Sequence, residues 1–363
     1  MTRIKILDSL RGLAALLVVF HHFYTRLPHL FLGLDPFFIR WLNVISELNV
    51  EAVLFFFILS GFSIRLSLRD EAPFDEAGLN EYLYRRFKRI LPLYFIALLI
   101  TFIAGLIIQP ASDTDYSVKT LVGNIFFLQI SKPYSGYWFA PYGNNGPLWS
   151  LPFEMFYYLF FPLYVWVLNK IFRLGIYADK VFQYSLIISL GISLGATLIN
   201  KHYFFPYIAY STLFYSWYVG FFIAHLYKTN AIKVNKNLLL LLANSMLLML
   251  VFYFSKSSTS MKLLETSILS VLIFFVIVLM DTGVKRFFKM VESILNALFH
   301  FAGKGSYALY LLHYPVLLLF IKYQEQSFLE VCLGVAVLII VCKYLEEFLV
   351  RKKFLFLKMR YIK

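Results

Sequence analysis

Charged residues are scarce in this chain of 363 residues. They make up 15% of it, against about a quarter of a typical soluble domain, whereas hydrophobic residues make up 60%. The mean hydropathy is +0.72, and no polar stretch is long enough to hold a core of its own. The composition therefore excludes an ordinary soluble protein and predicts an all-α, polytopic membrane bundle.

Cysteine is almost absent. The two thiols, Cys332 and Cys342, lie in one predicted span without a C-x-x-C spacing, so neither a disulfide framework nor a thiolate metal site is indicated. The seven histidines are scattered and show no H-E-x-x-H or similar ligand spacing. We therefore expect no metal and no tightly bound cofactor. Internal repeats and low-complexity tracts are also missing.

Ten hydrophobic segments are candidate membrane spans, and most approach the roughly 20 residues that a bilayer requires. Two of them are short, and a third is rich in tyrosine. The candidates are 7–24, 48–64, 89–108, 148–168, 183–199, 207–226, 237–254, 264–280, 305–321 and 328–348.

Basic residues are distributed unevenly between the two ends of these spans. With the N-terminus inside, the inner segments carry 25 Lys and Arg, the outer segments carry 8, and Lys343 lies within the last span. This asymmetry follows the positive-inside rule and predicts that both termini are cytoplasmic. The net charge of +14 then indicates contact with membrane lipids and no nucleic-acid partner. We predict a transmembrane domain over 1–350 and a basic cytoplasmic tail over 351–363.

Two ionisable residues interrupt the first hydrophobic segment. Arg11 and His22 are eleven residues apart, which in a helix is about three turns plus 20°, so they share one face roughly 16 Å apart along the axis. Such residues usually face a protein interior or a water-filled path and mark a functional site. His21 lies about 80° from Arg11, so His22 is the better candidate for proton chemistry near neutral pH. The alternatives are an Arg11 that snorkels or pairs with Asp8, and a His22 bonded between helices.

A basic cluster leads into the third span as YLYRRFKRILPLYF. Arg85, Arg86 and Arg89 are three or four residues apart, which predicts guanidinium groups on one helix face, and arginine binds phosphate oxygens bidentately. Ordinary positive-inside charge is the alternative. Pro92 fits an early position in a helix that starts nearby.

Ser60 and Gly61 break the apolar run of the second span near its inner end. A glycine there allows the close approach of either a ligand or a neighbouring helix. The surrounding residues do not form the G-x-S-x-G motif, so a serine nucleophile has no support from it.

Glu154 is the only acidic residue of the fourth span. A buried carboxylate there can orient an imidazole, take a proton from an alcohol or form a structural ion pair. Asn145, Trp149 and Ser150 lie at the mouth of the span as candidate substrate contacts. The preceding outer loop carries aromatic residues that suit either a sugar or an interfacial belt. His313, near the middle of the ninth span, suits either a core or a functional role.

Five motifs along the chain resemble, in order, those of the acyltransferase-3 family of integral membrane acyltransferases. They are LDSLRGLAALLVVFHH ending on His22, FFILSGF from Phe56, RRFKRILP from Arg85, PLWSLPFE ending on Glu154, and SYALYLLHYP from Ser306. The motifs spread over almost the whole chain. One departure is visible, because many members have an Asp before the FF of the second span, where Leu54 stands here.

The resemblance implies an enzyme that moves an acyl group, most often acetyl, from cytoplasmic acyl-CoA to a hydroxyl of an extracytoplasmic glycan. Lipopolysaccharide O-antigen, peptidoglycan and exopolysaccharide are typical acceptors. The expected partners are acyl-CoA (acetyl-CoA) as co-substrate, a glycan or lipid-linked saccharide as acceptor, and membrane lipids. The expected location is the bacterial inner (plasma) membrane.

The resemblance also implies roles for the candidate residues. His22 would be the general base or a transient acyl carrier, with Glu154 supporting it and Arg11 placing the donor. Acyl-CoA would be held by Arg85, Arg86 and Arg89, together with Ser60 and Gly61. The acceptor would be contacted by Asn145, Trp149, Ser150 and His313.

Two other classes of function remain open on the residues alone. Intramembrane Arg, His and Glu also suit a proton-coupled transporter or flippase for a small acid or saccharide. The absence of paired repeats or matched broken helices weighs against it. The second alternative is a binding or assembly protein of an envelope complex.

Overall fold

The computed structural model describes residues 5–68, 74–108, 116–131, 136–173, 179–229, 234–281, 285–322 and 327–351. These residues form fourteen α-helices and short 3₁₀ turns, without a named β-strand. The helices are α1 Lys5–Arg26, α2 Pro36–Glu47, α3 Asn49–Ser67, α4 Glu76–Ile108, α5 Val118–Ile125, α6 Leu151–Phe172, α7 Asp179–His202, α8 Pro206–Ala209, α9 Phe214–Lys228, α10 Val234–Ser255, α11 Ser258–Asp281, α12 Lys285–Gly303, α13 Ser306–Lys322 and α14 Phe328–Arg351. Apart from residue 351, the predicted basic tail lies outside the described residues.

Eight helical stretches of the described chain are long and apolar enough to cross a membrane. A ninth arises if α12 and α13, which meet at an angle of 59°, are taken together. The prediction of an all-α, polytopic membrane bundle is therefore confirmed. The orientation of the termini stays a prediction. The eight stretches are Lys5–Arg26, Pro36–Ser67, Glu76–Ile108, Gly146–Phe172, Val181–His202, Asn237–Ser255, Ser258–Val276 and Phe328–Leu349.

The predicted span 207–226 is a chain of three short helical pieces, α8, the 3₁₀ turn Tyr210–Leu213 and α9. Every residue of α9 from Phe214 to Leu226 is buried, so α9 forms the centre of the bundle. The tyrosines that make this segment unusual bond inside the protein. Tyr215 contacts the Ser267 hydroxyl at 3.3 Å, and Tyr218 contacts Ser185. A dry interior requires such partners for buried hydroxyl groups.

Helix α12 occupies a stretch outside the predicted spans. Its charged residues keep it below the hydropathy of a span, yet it packs closely on α1. Ser9 of α1 donates to the Asn296 side-chain oxygen of α12 at 2.6 Å. Amphipathic spacing, which hydropathy alone does not measure, is the signal that reveals such a helix.

Helix α4 begins at Glu76, well before the membrane, and runs for 33 residues. Pro92 therefore lies inside the helix, and the prediction that a helix starts near Pro92 was wrong. The polar residues before the apolar run extend the same helix on the side predicted to be cytoplasmic. As a result, Arg85, Arg86 and Arg89 are fixed by one rigid element.

Glycines set the closest helix crossings around the centre. A Cβ atom added at Gly61 would lie 2.0 Å from a backbone oxygen of α9, and one at Gly220 would lie 1.9 Å from a backbone oxygen of α3. Gly12 and Gly303 bring α1 and α12 equally close, with distances of 2.2 and 1.9 Å. Small residues that allow backbones to approach are typical of membrane helix interfaces. The α3–α9 and α1–α12 contacts thus position the two helices that carry Ser60 and Arg11.

We expect Gly61→Ala to destabilise the bundle by about 1–3 kcal/mol, because the added methyl group meets backbone that cannot move without shifting a helix. The melting temperature of the purified chain in detergent measures this. Gly191→Ala is the matched control, since a Cβ there meets nothing within 4 Å. A Gly61→Ala chain as stable as the Gly191→Ala chain would contradict the close crossing.

Candidate functional site

Three ionisable residues of helix α1, Arg11, His22 and Arg26, lie at successive depths. Because α1 is continuous from Lys5 to Arg26, the spacing places His22 about 16 Å along the axis from Arg11, and Arg26 about 6 Å further. Arg11 lines a cavity at one level and Arg26 lines another at the opposite end of α1. We call them the inner cavity and the outer vestibule.

The inner cavity has a volume of about 40 Å³, enough for a few water molecules. It lies between α1, α3, α4, α6 and the start of α13, and its lining combines aromatic rings with two cations and one carboxylate. The lining residues are Arg11, Val53, Phe56, Phe57, Ser60, Arg89, Ser150, Leu151, Glu154, Ser306, Tyr307 and Tyr310.

The Arg11 guanidinium is held by two partners at the wall of the inner cavity. Its Nη1 donates to Asp8 Oδ1 at 3.4 Å, and its Nη2 donates to the hydroxyl of Ser63 on α3. The side chain is only 13% exposed. Arg11 therefore faces the interior, and pairing with Asp8 accompanies this placement. Ser63 was not among the predicted residues.

Arg89 projects into the inner cavity among acids and phenols. Its charge lies within electrostatic range of Glu346, Glu154 and the hydroxyls of Tyr158 and Tyr307. Among the described residues, none forms a direct hydrogen bond or ion pair with the guanidinium. Arg89 is thus the cation of this cavity that is most available to a ligand.

Glu346 of α14 closes the inner end of α13. Its Oε2 accepts hydrogen bonds from the backbone N–H groups of Tyr307 and Ala308, each at 3.1 Å. These are orphan donors of a helix start, so the carboxylate caps α13 and opposes the charges of Arg11 and Arg89. Glu346 was not among the predicted site residues, although an acid within the apolar segment 328–348 is the same kind of signal that identifies Arg11.

Glu154 forms no hydrogen bond with His22 in the described structure, which therefore does not show the predicted support of the imidazole. Its Oε1 accepts from the Tyr158 hydroxyl at 2.5 Å and from Ser60 Oγ at 3.0 Å. Glu154 lies one helical turn beyond Ser150, at the level of Ser60 and Arg89 in the inner cavity. The carboxylate therefore belongs to the inner cavity.

The three arginines of α4 point into different surroundings. Arg85 is exposed and pairs with Glu81 one turn earlier. Arg86 is buried, donates to Ser67 Oγ at 2.8 Å and lies over the rings of Tyr82 and Tyr158. The three arginines do not form a single phosphate site in the described structure, because the side chain of each has different surroundings.

Ser60 and Gly61 likewise face different surroundings. Ser60 joins the inner cavity, where it also accepts from Trp217 Nε1 at 3.3 Å. Gly61 faces the backbone of α9, as described above, so the packing alternative holds and its predicted contact with acyl-CoA does not.

His22 and His313 form a pair beyond the inner cavity. His313 Nε2 lies 3.3 Å from His22 Nδ1, and each Nδ1 also faces a backbone carbonyl of its own helix, His22 that of Val18 at 2.8 Å and His313 that of Leu309 at 3.0 Å. A carbonyl only accepts, so a neutral imidazole in either position carries its proton on Nδ1.

This tautomer has a chemical consequence. His313 Nε2 then has a lone pair that accepts from His22 Nδ1–H, and the lone pair of His22 lies on Nε2. No hydrogen bond to His22 Nε2 occurs within the described part of the chain. The lone pair of a neutral His22 is therefore on Nε2, without a hydrogen-bond donor among the described residues.

His21 points away from this pair. Its Nδ1 contacts the backbone oxygen of Ser46 at 2.9 Å and the Asn49 amide at 3.1 Å, which fixes α1 to the junction of α2 and α3. The two neighbouring histidines thus have different surroundings.

The outer vestibule is a cavity of about 350 Å³ beside the histidine pair. Tyr314, which lines it, meets His22 edge-on with ring centroids 5.4 Å apart. On α13, Tyr310 lines the inner cavity and Tyr314 the vestibule, one turn apart, with His313 between them. The vestibule is lined by Arg26, Ile108, Tyr116, Tyr137, Pro141, Gly143, Asn144, Gly146, Tyr314 and Leu318.

The predicted substrate contacts are only partly brought together. Asn145 is buried and donates to Thr101 Oγ1 at 3.1 Å, so its neighbour Asn144 lines the vestibule instead. The Trp149 ring lies under the Lys262 ammonium at 4.8 Å, outside both cavities. Ser150 lines the inner cavity and contacts the Tyr310 hydroxyl at 2.8 Å. These side chains lie within one short turn and point in different directions around it. Their directions decide whether each lines a cavity or packs elsewhere.

Comparison with known proteins covers most of the chain. A family model described as "Acyltransferase domain" matches residues 4–346. The chain is 27% identical over 341 residues to "Putative O-acetyltransferase SACOL0978" of Staphylococcus aureus (strain COL), covering 86% of this chain and 50% of that protein. It is 34% identical over 131 residues to "Acyltransferase MdmB" of Streptomyces mycarofaciens, covering 35% of this chain and 31% of that protein.

The chain spans about half the length of the Staphylococcus aureus relatives it matches. No solved structure shows a significant match to it.

We expect Glu346→Ala to lower the melting temperature, because two buried N–H groups of α13 lose their acceptor. The free energy of unfolding should fall by about 1–3 kcal/mol. Glu346→Gln keeps an acceptor and should lose less. Thermal unfolding of both variants beside the unmodified chain measures the difference. An unchanged melting temperature for Glu346→Ala would contradict the capping role.

Proposed function

Because the chain belongs to the acyltransferase-3 family, we propose that it is a membrane O-acyltransferase of the bacterial inner membrane. It transfers an acyl group, preferentially acetyl, from cytoplasmic acyl-CoA to a hydroxyl of an extracytoplasmic glycan such as O-antigen, another lipopolysaccharide sugar or an exopolysaccharide. The relatives' names support the acyl transfer, and the donor and acceptor are part of the proposal.

One observation carries this proposal. Along α1 and α13, the His22–His313 pair lies between residues that line the cationic inner cavity and residues that line the sugar-sized outer vestibule, and His22 Nε2 is free of hydrogen bonds in the described structure. His22 contacts Tyr314 of the vestibule. A base at a level between two separate cavities suits a reaction whose donor and acceptor arrive from opposite sides.

In the direct mechanism, His22 Nε2 takes the proton of the acceptor hydroxyl as its oxygen attacks the thioester carbonyl. A C–O bond forms, the C–S bond breaks, and the CoA thiolate takes the proton back from the imidazolium. The products are the glycan ester and CoA thiol. His313 Nε2 accepts from His22 Nδ1–H throughout, which keeps Nε2 directed at the substrate.

A transient acyl-histidine uses the same atom. Here His22 Nε2 attacks the thioester carbonyl, a C–N bond forms, the C–S bond breaks and CoA leaves as the thiolate. The acceptor hydroxyl then attacks the acyl-imidazole, a C–O bond forms, the C–N bond breaks to free the histidine, and the hydroxyl proton ends on the CoA thiolate. Both routes require an unprotonated Nε2, so the tautomer set by Val18 and His313 serves either of them.

The donor path begins at the inner end of α4. In this proposal Arg85, exposed there, binds CoA phosphates, while Arg89 and Arg11 give the inner cavity positive charge along the way to His22. Arg86 takes no part, because Ser67 and two tyrosine rings enclose it. A cavity of about 40 Å³ is too small for the pantetheine arm, so the helices around it must separate when the donor binds.

We expect His22→Ala to lower acyl-ester formation at least about 100-fold, the usual contribution of a general base. The reaction is measured with the full chain in proteoliposomes, labelled acetyl-CoA and an oligosaccharide acceptor. His29→Ala, which removes an exposed histidine from the 3₁₀ turn after α1, is the control and should keep full activity.

Undiminished esters with folded His22→Ala would refute the role of His22. Net saccharide flux without acyl-CoA, with no ester formed, would instead support the transporter alternative.

The two arginines should differ in kinetics. Arg89→Gln should lower kcat/KM for acetyl-CoA about 10- to 100-fold, because a cation inside a dry cavity is weakly screened. Arg85→Gln should raise KM only a few-fold and lose even that effect in high salt. Steady-state kinetics at two ionic strengths separates them, and equal effects of the two substitutions would contradict their different placement.

A further inference from the structure

We infer that the outer vestibule binds a negatively charged sugar through Arg26, and that the same sugar also carries the hydroxyl that is acylated. This deepens the proposed function and rests on it. The ligand class is a saccharide with a carboxylate or a phosphate, such as a uronic acid.

The size and chemistry of the vestibule suit a sugar ring. Its volume of about 350 Å³ lies at the lower end of ligand sites, where a monosaccharide or disaccharide fits. Tyr116, Tyr137 and Tyr314 supply ring faces and hydroxyls, and Asn144 supplies an amide. Aromatic faces beside a few polar groups give a pocket both apolar contact and orientation.

Arg26 gives this pocket its charge. It is the one charged residue among those lining the vestibule, and none of the described residues forms an ion pair or a hydrogen bond with its guanidinium. Arg26 is an exposed residue that lines the vestibule beside aromatic rings, and a guanidinium binds a carboxylate or phosphate bidentately. The vestibule therefore favours an anion over a neutral ligand.

The position of Arg26 relative to His22 defines which hydroxyl reacts. Arg26 follows His22 by one turn of α1, about 40° around and 6 Å along the axis, and its charge is within electrostatic range of the imidazole. That separation is roughly the width of one sugar ring. We expect a sugar whose anion meets Arg26 to direct a hydroxyl of the same sugar past Tyr314, the vestibule residue that contacts His22.

The backbone opposite Arg26 supports a built pocket. Gly143 and Asn144 both adopt left-handed conformations, with φ of 58° and 55°, and both line the vestibule. Asn is among the few residues that tolerate this region, and strained residues concentrate at ligand sites. The turn holds Asn144 at the vestibule while Asn145 is buried behind it.

A matched pair of acceptors tests the inference. The full chain in neutral-lipid nanodiscs receives 4-nitrophenyl β-glucuronide or 4-nitrophenyl β-glucoside, which differ at the carboxylate. Binding is followed by saturation-transfer NMR and acetylation by mass spectrometry. We expect at least about a 10-fold preference for the glucuronide, carried by a charge-assisted contact. Arg26→Gln should abolish the preference, and Arg26→Lys should retain part of it.

Arg40→Gln is the control, since Arg40 is an exposed arginine of α2 outside the vestibule, and it should keep the preference. No preference in the unmodified chain, or the same preference in Arg26→Gln, would overturn the inference. If Arg26 instead anchors lipid phosphate, anionic lipid should raise the melting temperature of the unmodified chain and not that of Arg26→Gln. The glucuronide-to-glucoside ratio would then be the same in both proteins, and this result also overturns the inference.

The two proposals fail separately. His22→Ala should bind the glucuronide normally without acetylating it. Arg26-dependent glucuronide binding with no acetylation of any acceptor by the unmodified chain would refute the acyltransferase and leave the anionic site. Equal acetylation of both acceptors would refute the anionic site alone.

Discussion

The need to neutralise charge inside a bilayer organises the inner half of this protein. Arg11 and Arg89 are placed among Asp8, Glu154 and Glu346, and these five residues come from four helices. An uncompensated charge at this depth costs several kcal/mol, so these helices must meet where their charges balance. Because Glu346 also caps α13, the same arrangement fixes the helix that carries His313. Charge balance in the inner cavity and the position of the histidine pair are therefore linked.

The fold could be predicted from the sequence wherever hydropathy alone decides. Segments such as 237–254 and 328–348 appear as expected, whereas α9 is too short to be a span by itself and α12 is amphipathic. Among site residues, Arg11 and His22 are recognisable because ionisable groups are expensive in an apolar helix.

Helical periodicity predicts which residues share a face of a helix, and it does not predict what packs against that face. Arg86, Gly61 and Asn145 share motifs with cavity residues, yet each meets packed protein. Arg11 and Arg26 lie on one continuous helix, yet they line different cavities. The division into inner cavity, histidine pair and outer vestibule depends on tertiary contacts that no single motif contains.

The central claim is that donor and acceptor reach His22 from opposite faces of the membrane. The most direct test uses sealed vesicles in which all molecules share one orientation, with acetyl-CoA and a membrane-impermeant acceptor placed on chosen sides. The account predicts esters only when acetyl-CoA faces the end of α1 that carries Arg11 and the acceptor faces the end that carries Arg26. Equal ester formation with both substrates on one side would contradict it.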